Sequence, residues 1–197
     1  MSTSPSKPLI LANLGSGGND FEIQAGRHIH IDLVPGRLRN KLAIVARVEQ
    51  LPLRNASVNM VLCVGSVINH GDAQEMISEI ARVLQPNDLA VIEFDCADGL
   101  HQQGNSSKSA AITVNTFFNN RMLTLFEYSR SYIETELESK SLRIERRHSF
   151  HIASAFMLRF RVPPAVAAWF IYLDPLARFF KSLRYRGSNL LIVVRKI

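Results

Sequence analysis

The stretch from residue 9 to residue 32, LILANLGSGGNDFEIQAGRHIHID, restricts the possible folds more than any other part of this 197-residue chain. It reads as an apolar strand, a Gly-rich turn, a second strand, and an acid, Asp32, closing that strand. Glycine at Gly15 and Gly17 allows a tight turn and close approach of a ligand to the backbone, at the strand end where open α/β sheets bind ligands. Asp32 stands where a carboxylate could hold both hydroxyls of a ribose. A dinucleotide site uses similar parts, but the third glycine of G-x-G-x-x-G falls on Asp20, whose charge would repel a pyrophosphate. The crossover 18–27 is about as short as a βαβ connection can be, so its helix must be minimal. A cationic, phosphate-free nucleoside is the easier ligand.

Further apolar runs at 42–46, 58–64 and 89–94 alternate with helix-like segments and are not joined by hairpin turns, which predicts a parallel sheet with crossovers. The clearest helix covers 73–84. Asp72 and Glu75 have capping-box spacing, Ile77, Ile80, Ala81 and Leu84 share one face, and Pro86 ends the segment. A second helix is expected over 131–140, with Ser131 and Glu134 at its start, followed by an extended Arg-rich stretch at 142–152 and a last strand at 190–194. The polar run 99–109 reads as a mobile loop. Residues 153–186 are apolar and basic, interrupted by Pro163, Pro164 and Pro175. Asp174-Pro175 is a good helix start, with Leu176, Phe179, Phe180 and Leu183 on one face and Arg178, Lys181 and Arg184 elsewhere.

With 47% hydrophobic and 20% charged residues, the composition is that of a folded globular chain. One domain is expected: a loose tail at 1–8, a half at 9–94, and a half at 95–197 that carries the basic insert 153–186. From Arg143 onward eleven Lys/Arg face two acids, a net of +9, while residues 1–142 carry twelve against fifteen, a net of −3. The longest apolar run, 165–173, is far shorter than the roughly 20 residues that cross a bilayer. The N-terminus lacks the basic-then-apolar pattern of a secretory signal. Cys63 and Cys96 lie in or beside strand-like runs without metal-ligand spacing, as buried thiols of a cytoplasmic protein would. The insert has two readings: a cap packed over the sheet beside the substrate, which is favoured, and a surface for peripheral membrane contact.

The order and spacing of residues 9–94 resemble the class I S-adenosylmethionine (SAM) dependent methyltransferases, in particular the type 11-like group. The most specific part is SVNMVLCVGSVINHGDAQEMISEIARVLQPNDLAVIEF, residues 57–94. The resemblance implies a Rossmann-like, mostly parallel sheet with a C-terminal antiparallel strand and helices on both faces. It implies SAM as cofactor, with the methionine part cradled at Asn13, Gly15, Ser16, Gly17 and Gly18. The ribose would lie on Asp32 beside Leu33, the adenine near Arg47, Val48 and Glu49, and further contacts at Val64 and Gly65. Four positions depart from the family pattern: Asn19 for the third glycine, Arg47 for the acid beside adenine, Asn59 for the aspartate opening the fourth strand, and Pro86-Asn87-Asp88 for Pro-Gly-Gly. Asn tolerates left-handed backbone, so Asn19 and Asn87 are conservative.

Methyl transfer from a sulfonium is an in-line displacement that needs no metal, so the chain must mainly align donor and acceptor. His70, after the fourth strand, falls where the family faces its substrate and is the candidate general base; a His merely hydrogen-bonded at the strand end is the competing reading. His101 reads as exposed and idle, and Glu93 either as an acid reaching the pocket from the fifth strand or as one paired with a nearby Arg. His148 and His151 lack ligand spacing, and no metal site is expected. The acceptor is expected to be a small molecule, a glycan or a lipid-linked compound. The alternatives are an RNA methyltransferase, disfavoured because no aromatic-and-basic RNA module is present, and a methyltransferase-like scaffold without turnover, motivated by Arg47 and Asn59. The oligomeric state is left open.

Overall fold

A computed structural model describes residues 8–21, 23, 26–102, 110–118, 121–160, 162–177 and 179–197. In chain order its strands are β1 (Ile10–Leu14), β2 (Arg27–Asp32), β3 (Ala43–Val45), β4 (Val58–Cys63), β5 (Leu84–Asp95), β6 (Ala111–Phe118), β7 (Arg121–Tyr128), β8 (Leu142–Phe150) and β9 (Asn189–Lys196). Seven of them form one sheet in the order β3-β2-β1-β4-β5-β9-β8. The first five pair in parallel, and β9 runs antiparallel between β5 and β8. This is the expected Rossmann-like sheet with its C-terminal antiparallel strand.

The alternation of each strand decides what the sheet buries. Ala12 and Leu14 of β1, Ile31 of β2, Val61 and Cys63 of β4, and Ile92 and Phe94 of β5 enter one core with Ile77 and Ile80 of the helix α1 (Ala73–Val83). Ile133 and Leu137 of a second helix, α2 (Arg130–Ser139), join them. Each such fully buried aliphatic or aromatic side chain contributes roughly 1.5–3 kcal/mol. Burial also pushes the Cys63 thiol up to about 12, so it is an inert core residue. Cys96 is buried and unpaired as well.

Helix α1 starts as expected, the Asp72 carboxylate accepting from the amides of Gln74 at 2.8 Å and Glu75 at 3.2 Å. It ends at Val83, one residue early, because β5 begins at Leu84 and reaches past Pro86. A register shift between Val58 and Met60 absorbs the extra residues, with Asn87 at φ 68°. The departure at Asn59 is accommodated there: its side-chain oxygen accepts from Ile10 N at 3.1 Å and its nitrogen donates to Asp88 at 2.8 Å.

Other expectations need correction. The span 111–128, to which the sequence reading assigns no element, contains a separate two-stranded antiparallel sheet, β6 with β7. Helix α2 is capped by Ser129, which accepts from Tyr132 N at 3.2 Å; Glu134 pairs with Arg147 at 2.6 Å instead of closing a capping box at Ser131. Between β1 and β2 no helix occurs among the described residues, so the minimal helix of that crossover is absent from them. Residues 103–109 of the expected mobile loop lie outside the described residues.

The insert differs most. It consists of α3 (Ile152–Arg159), the four-residue α4 (Pro164–Ala167), a 3-10 segment at Ala168–Leu173 and the four-residue α5 (Asp174–Ala177), followed by turns. The amphipathic helix expected from Asp174 onward does not extend. Asp174 turns inward instead, its Oδ1 accepting from Ile152 N at 3.0 Å and Ala153 N at 2.9 Å. It thereby caps α3, satisfying amides that a helix start leaves open. A small core of Leu100, Ile152 and Ala155, with Ala177 and Leu183, anchors the insert. No helix among the described residues is long and apolar enough to cross a membrane.

Candidate active site

The carboxyl ends of β1, β2 and β4 meet around a cleft of about 320 Å³, within the range of pockets that bind small ligands. Gly15, Asp32, Leu33, Arg47, Val48, Glu49, Gly65, Val67, His70 and Met76 are among the residues lining it. The turn after β1 owes its shape to glycine at two points. A Cβ at Gly15, φ 59°, would strike Val67; one at Gly18, φ 82°, would strike the carbonyl oxygen of Arg37.

Asp32 is 7% exposed and fixes the turn from below. One oxygen accepts from Gly17 N and the other from Val34 N, both at 2.8 Å. Each keeps a lone pair for a further donor at the cleft. Asn13 and Ser16 are buried behind the turn, Asn13 donating to Asn19 O at 3.0 Å and Ser16 Oγ accepting from Gly18 N at 3.3 Å. Asn13, Ser16, Gly17, Gly18 and Val64 are thus not lining residues of the cleft, whereas the other expected cofactor positions are.

Arg47 and Glu49 pair with each other at the cleft. The Arg47 side chain is well exposed and its guanidinium donates to Glu49 at 2.7 Å, while the Glu49 carboxylate is mostly buried at the cleft. A buried carboxylate therefore lies beside Val48, two residues after Arg47.

At the other end of the cleft His70 is exposed, at the tip of a 3-10 turn spanning Val67–His70. Sequence reasoning missed the residue that holds this turn. Asn69 is fully buried, donating to Asp95 O at 3.1 Å and Phe126 O at 2.6 Å and accepting from Asp95 N at 2.8 Å. An Asn beside an apolar Ile68 after a strand gives no signal of such a role. Asp95 accepts from Ser66 Oγ at 2.8 Å and also from Asn189. Burial holds its carboxyl above the usual carboxylate range, and the charges of Glu127, His101 and His70 reach it. His101 is not exposed as expected: it is mostly buried, 3.5 Å from Glu127, and Gln102 donates to the same carboxylate at 2.6 Å. Glu93 accepts from Gly65 N at 2.8 Å, bracing the end of β4. The cleft thus joins a glycine turn with the carboxylates of Asp32 and Glu49, and a polar group of His70, Asp95, His101 and Glu127 lies beyond.

Residues 13–92 match the family described as a methyltransferase domain. No curated protein matches the chain by sequence. Among solved structures, a Listeria monocytogenes protein assigned to the SAM-dependent methyltransferases superposes with a TM-score of 0.66 at 12% identity, over 96% of this chain and 91% of that one. A SAM-dependent methyltransferase from Mesorhizobium loti gives 0.60 at 13% identity, over 96% and 91%. Geranyl diphosphate C-methyltransferase from Streptomyces coelicolor, solved with S-adenosylhomocysteine, gives 0.59 at 14% identity, over 96% and 71%. Residues 13–92 are thus similar to the methyltransferase domain family, and the chain shares its overall fold with SAM-dependent methyltransferases of known structure.

Proposed function

We propose that the enzyme methylates a lipid-linked or otherwise amphipathic acceptor at the surface of an anionic membrane, the half at 9–94 holding SAM and the half at 95–197 the acceptor. The observation that carries this reading is the outer surface of the insert. Trp169, Tyr172 and Phe179 are 73%, 76% and 80% exposed, and Phe160, Leu176 and Phe180 are exposed beside them in the chain. Lys181, Arg184 and Arg186 are exposed in the same segment. A segment of exposed aromatic and basic side chains has the composition of an interfacial element, the rings entering the headgroup region and the cations meeting anionic lipid. The insert leaves the sheet after β8 and returns at Asn189, opposite Asp95 at the carboxyl end of β5, so it stands on the same edge as the cleft. Geranyl diphosphate, the ligand of one structural neighbour, is likewise an apolar chain with an anionic end.

In this reading Asp32 accepts from the ribose hydroxyls, Glu49 from the adenine amine, and Gly15, Leu33, Arg47, Val48 and Gly65 shape the walls. Asn13, Ser16, Gly17 and Gly18 hold the turn behind the methionine part, and Val64 supports the strand end. Bound there, SAM supplies an electrophilic methyl carbon, to which the acceptor's nucleophilic atom bonds in line as the carbon–sulfur bond breaks and S-adenosylhomocysteine leaves. His70 takes the acceptor's proton where the acceptor atom carries one. Against the scaffold alternative, Glu49 offers a carboxylate beside Arg47, and Asn59 is held by hydrogen bonds to Ile10 and Asp88.

Trp169 is the only tryptophan, so its fluorescence reports the insert directly. Vesicles containing phosphatidylglycerol should blue-shift its emission and sediment the protein, phosphatidylcholine alone much less, and Phe179→Asp with Phe180→Asp should abolish both effects. Burial of Trp169 by self-association, or a salt-dependent shift on RNA without vesicle binding, would overturn the membrane reading.

A further inference from the structure

The cleft uses the carboxyl end of β2 but leaves unexplained the two histidines in the middle of that strand. Residues two apart on a strand share a face, so while Ile29 and Ile31 enter the main core, His28 and His30 point together to the other side of the sheet. Their rings stack with centroids 4.3 Å apart. Asp20, from the crossover between β1 and β2, places Oδ1 3.0 Å from His30 Nε2. One potential ligand atom from each of Asp20, His28 and His30 lies within 4.8 Å of those of the other two.

His30 is only 2% exposed, and two ring nitrogens of the group, His28 Nε2 and His30 Nδ1, are buried without a hydrogen-bond partner. Buried polar atoms in native proteins are nearly always satisfied, and an orphaned one costs about 1–3 kcal/mol, so two in contact side chains call for a ligand. Burial holds both imidazoles below their ordinary range, which keeps them neutral, the form that offers a lone pair.

We propose that Asp20, His28 and His30 form a binding site for a borderline first-row divalent cation of the zinc type. Two imidazoles and one carboxylate are a nitrogen-rich set, suited to zinc and its neighbours and poorly suited to the all-oxygen shells of calcium or magnesium. Three protein ligands leave room for water in the fourth position. The Lys41 ammonium, which pairs with Asp20, occupies the carboxylate in the metal-free arrangement. A divalent ion displaces it, so metal and lysine compete for one acid. The physical consequence falls on the crossover 18–26, in which no described residue is helical. A metal would clamp it to β2, next to the tie from Asn13 to Asn19 and immediately behind the glycine turn. None of the three ligands lines the SAM cleft, so the site is separate from it.

The test is calorimetric titration of the untagged, chelator-stripped full chain with zinc alone, with cobalt(II) absorption reporting the ligand field. One ion per chain at micromolar or tighter affinity is expected. His28→Gln should weaken it at least about tenfold to a hundredfold, while Lys41→Ala should strengthen it. Zinc should raise the unfolding midpoint of the wild type and leave that of His28→Gln unmoved, and His28→Gln should retain its circular dichroism and SAM binding. Absence of binding below the millimolar range, or binding that survives in His28→Gln but is lost in His148→Ala, would overturn the proposal.

Discussion

Residues 9–94 and residues 152–183 are both rich in large apolar side chains, yet they use them in opposite ways. In the first, Leu11, Leu14, Ile31, Ile77, Ile80, Ile92 and Phe94 are fully buried; in the second, Phe160, Trp169, Tyr172, Leu176, Phe179 and Phe180 are exposed while Ile152, Ala155 and Ala167 are buried. The difference is one of geometry. Strands and an eleven-residue helix gather alternate or every-third residues onto one face, whereas helical pieces of four residues broken by prolines cannot. An apolar surface that the fold does not cover invites an external partner.

The comparison can be broken at several points. The largest expected effect is on the sheet side: Ile77→Ala should destabilise the chain by about 2–5 kcal/mol in urea unfolding, since it leaves a cavity between α1 and the sheet. Phe179→Ala should stay within about 0.5 kcal/mol. Comparable losses for the two would mean that the insert is a core element after all. Asp174→Ala should come next, at about 1–2 kcal/mol, because two amides at the start of α3 lose their acceptor. Protease cleavage confined to the insert would locate that loss. Asp72→Ala, which removes the ordinary cap of α1, should cost about 1 kcal/mol, and a loss much above this would signal a role beyond capping.

A smaller effect is expected from pH. His28 and His30 are held below the ordinary imidazole range, so near and below pH 6.5 the unfolded chain binds protons that the folded chain does not. Stability should therefore fall as the pH drops through about 6.5 and be fully present above it, in chelator. The urea midpoint of His28→Gln should respond less in this window, and a wild-type midpoint that rises on acidification would contradict the assignment.

Much of the first region could be read from the residues, because its signals are local. The Asp72 cap, the face of α1, the glycine turn and the acid closing β2 each follow from spacing within a few residues. What escaped the sequence depends on distant partners. Ser129 rather than Ser131 caps α2 because Glu134 finds Arg147 thirteen positions away. Asp174 looked like a helix start and instead caps α3, twenty-two residues earlier. The Glu49 carboxylate is buried at the cleft while Arg47 beside it is exposed, and Asn69 ties the His70 turn to β5 and β7 through three hydrogen bonds that no local pattern announces. The pairing of β6 with β7 is a further case, since no Gly or Pro within 111–128 marks a turn.

The central claim is that the cleft at Asp32 holds SAM, and calorimetry tests it most directly. The folded wild type should bind SAM or S-adenosylhomocysteine with micromolar affinity, and Asp32→Ala should weaken that binding by about tenfold to a hundredfold, the worth of hydrogen bonds to a carboxylate, with its unfolding midpoint confirming that it folds. A folded wild type that binds neither compound, or an Asp32→Ala variant that binds both as tightly as the wild type, would contradict the account.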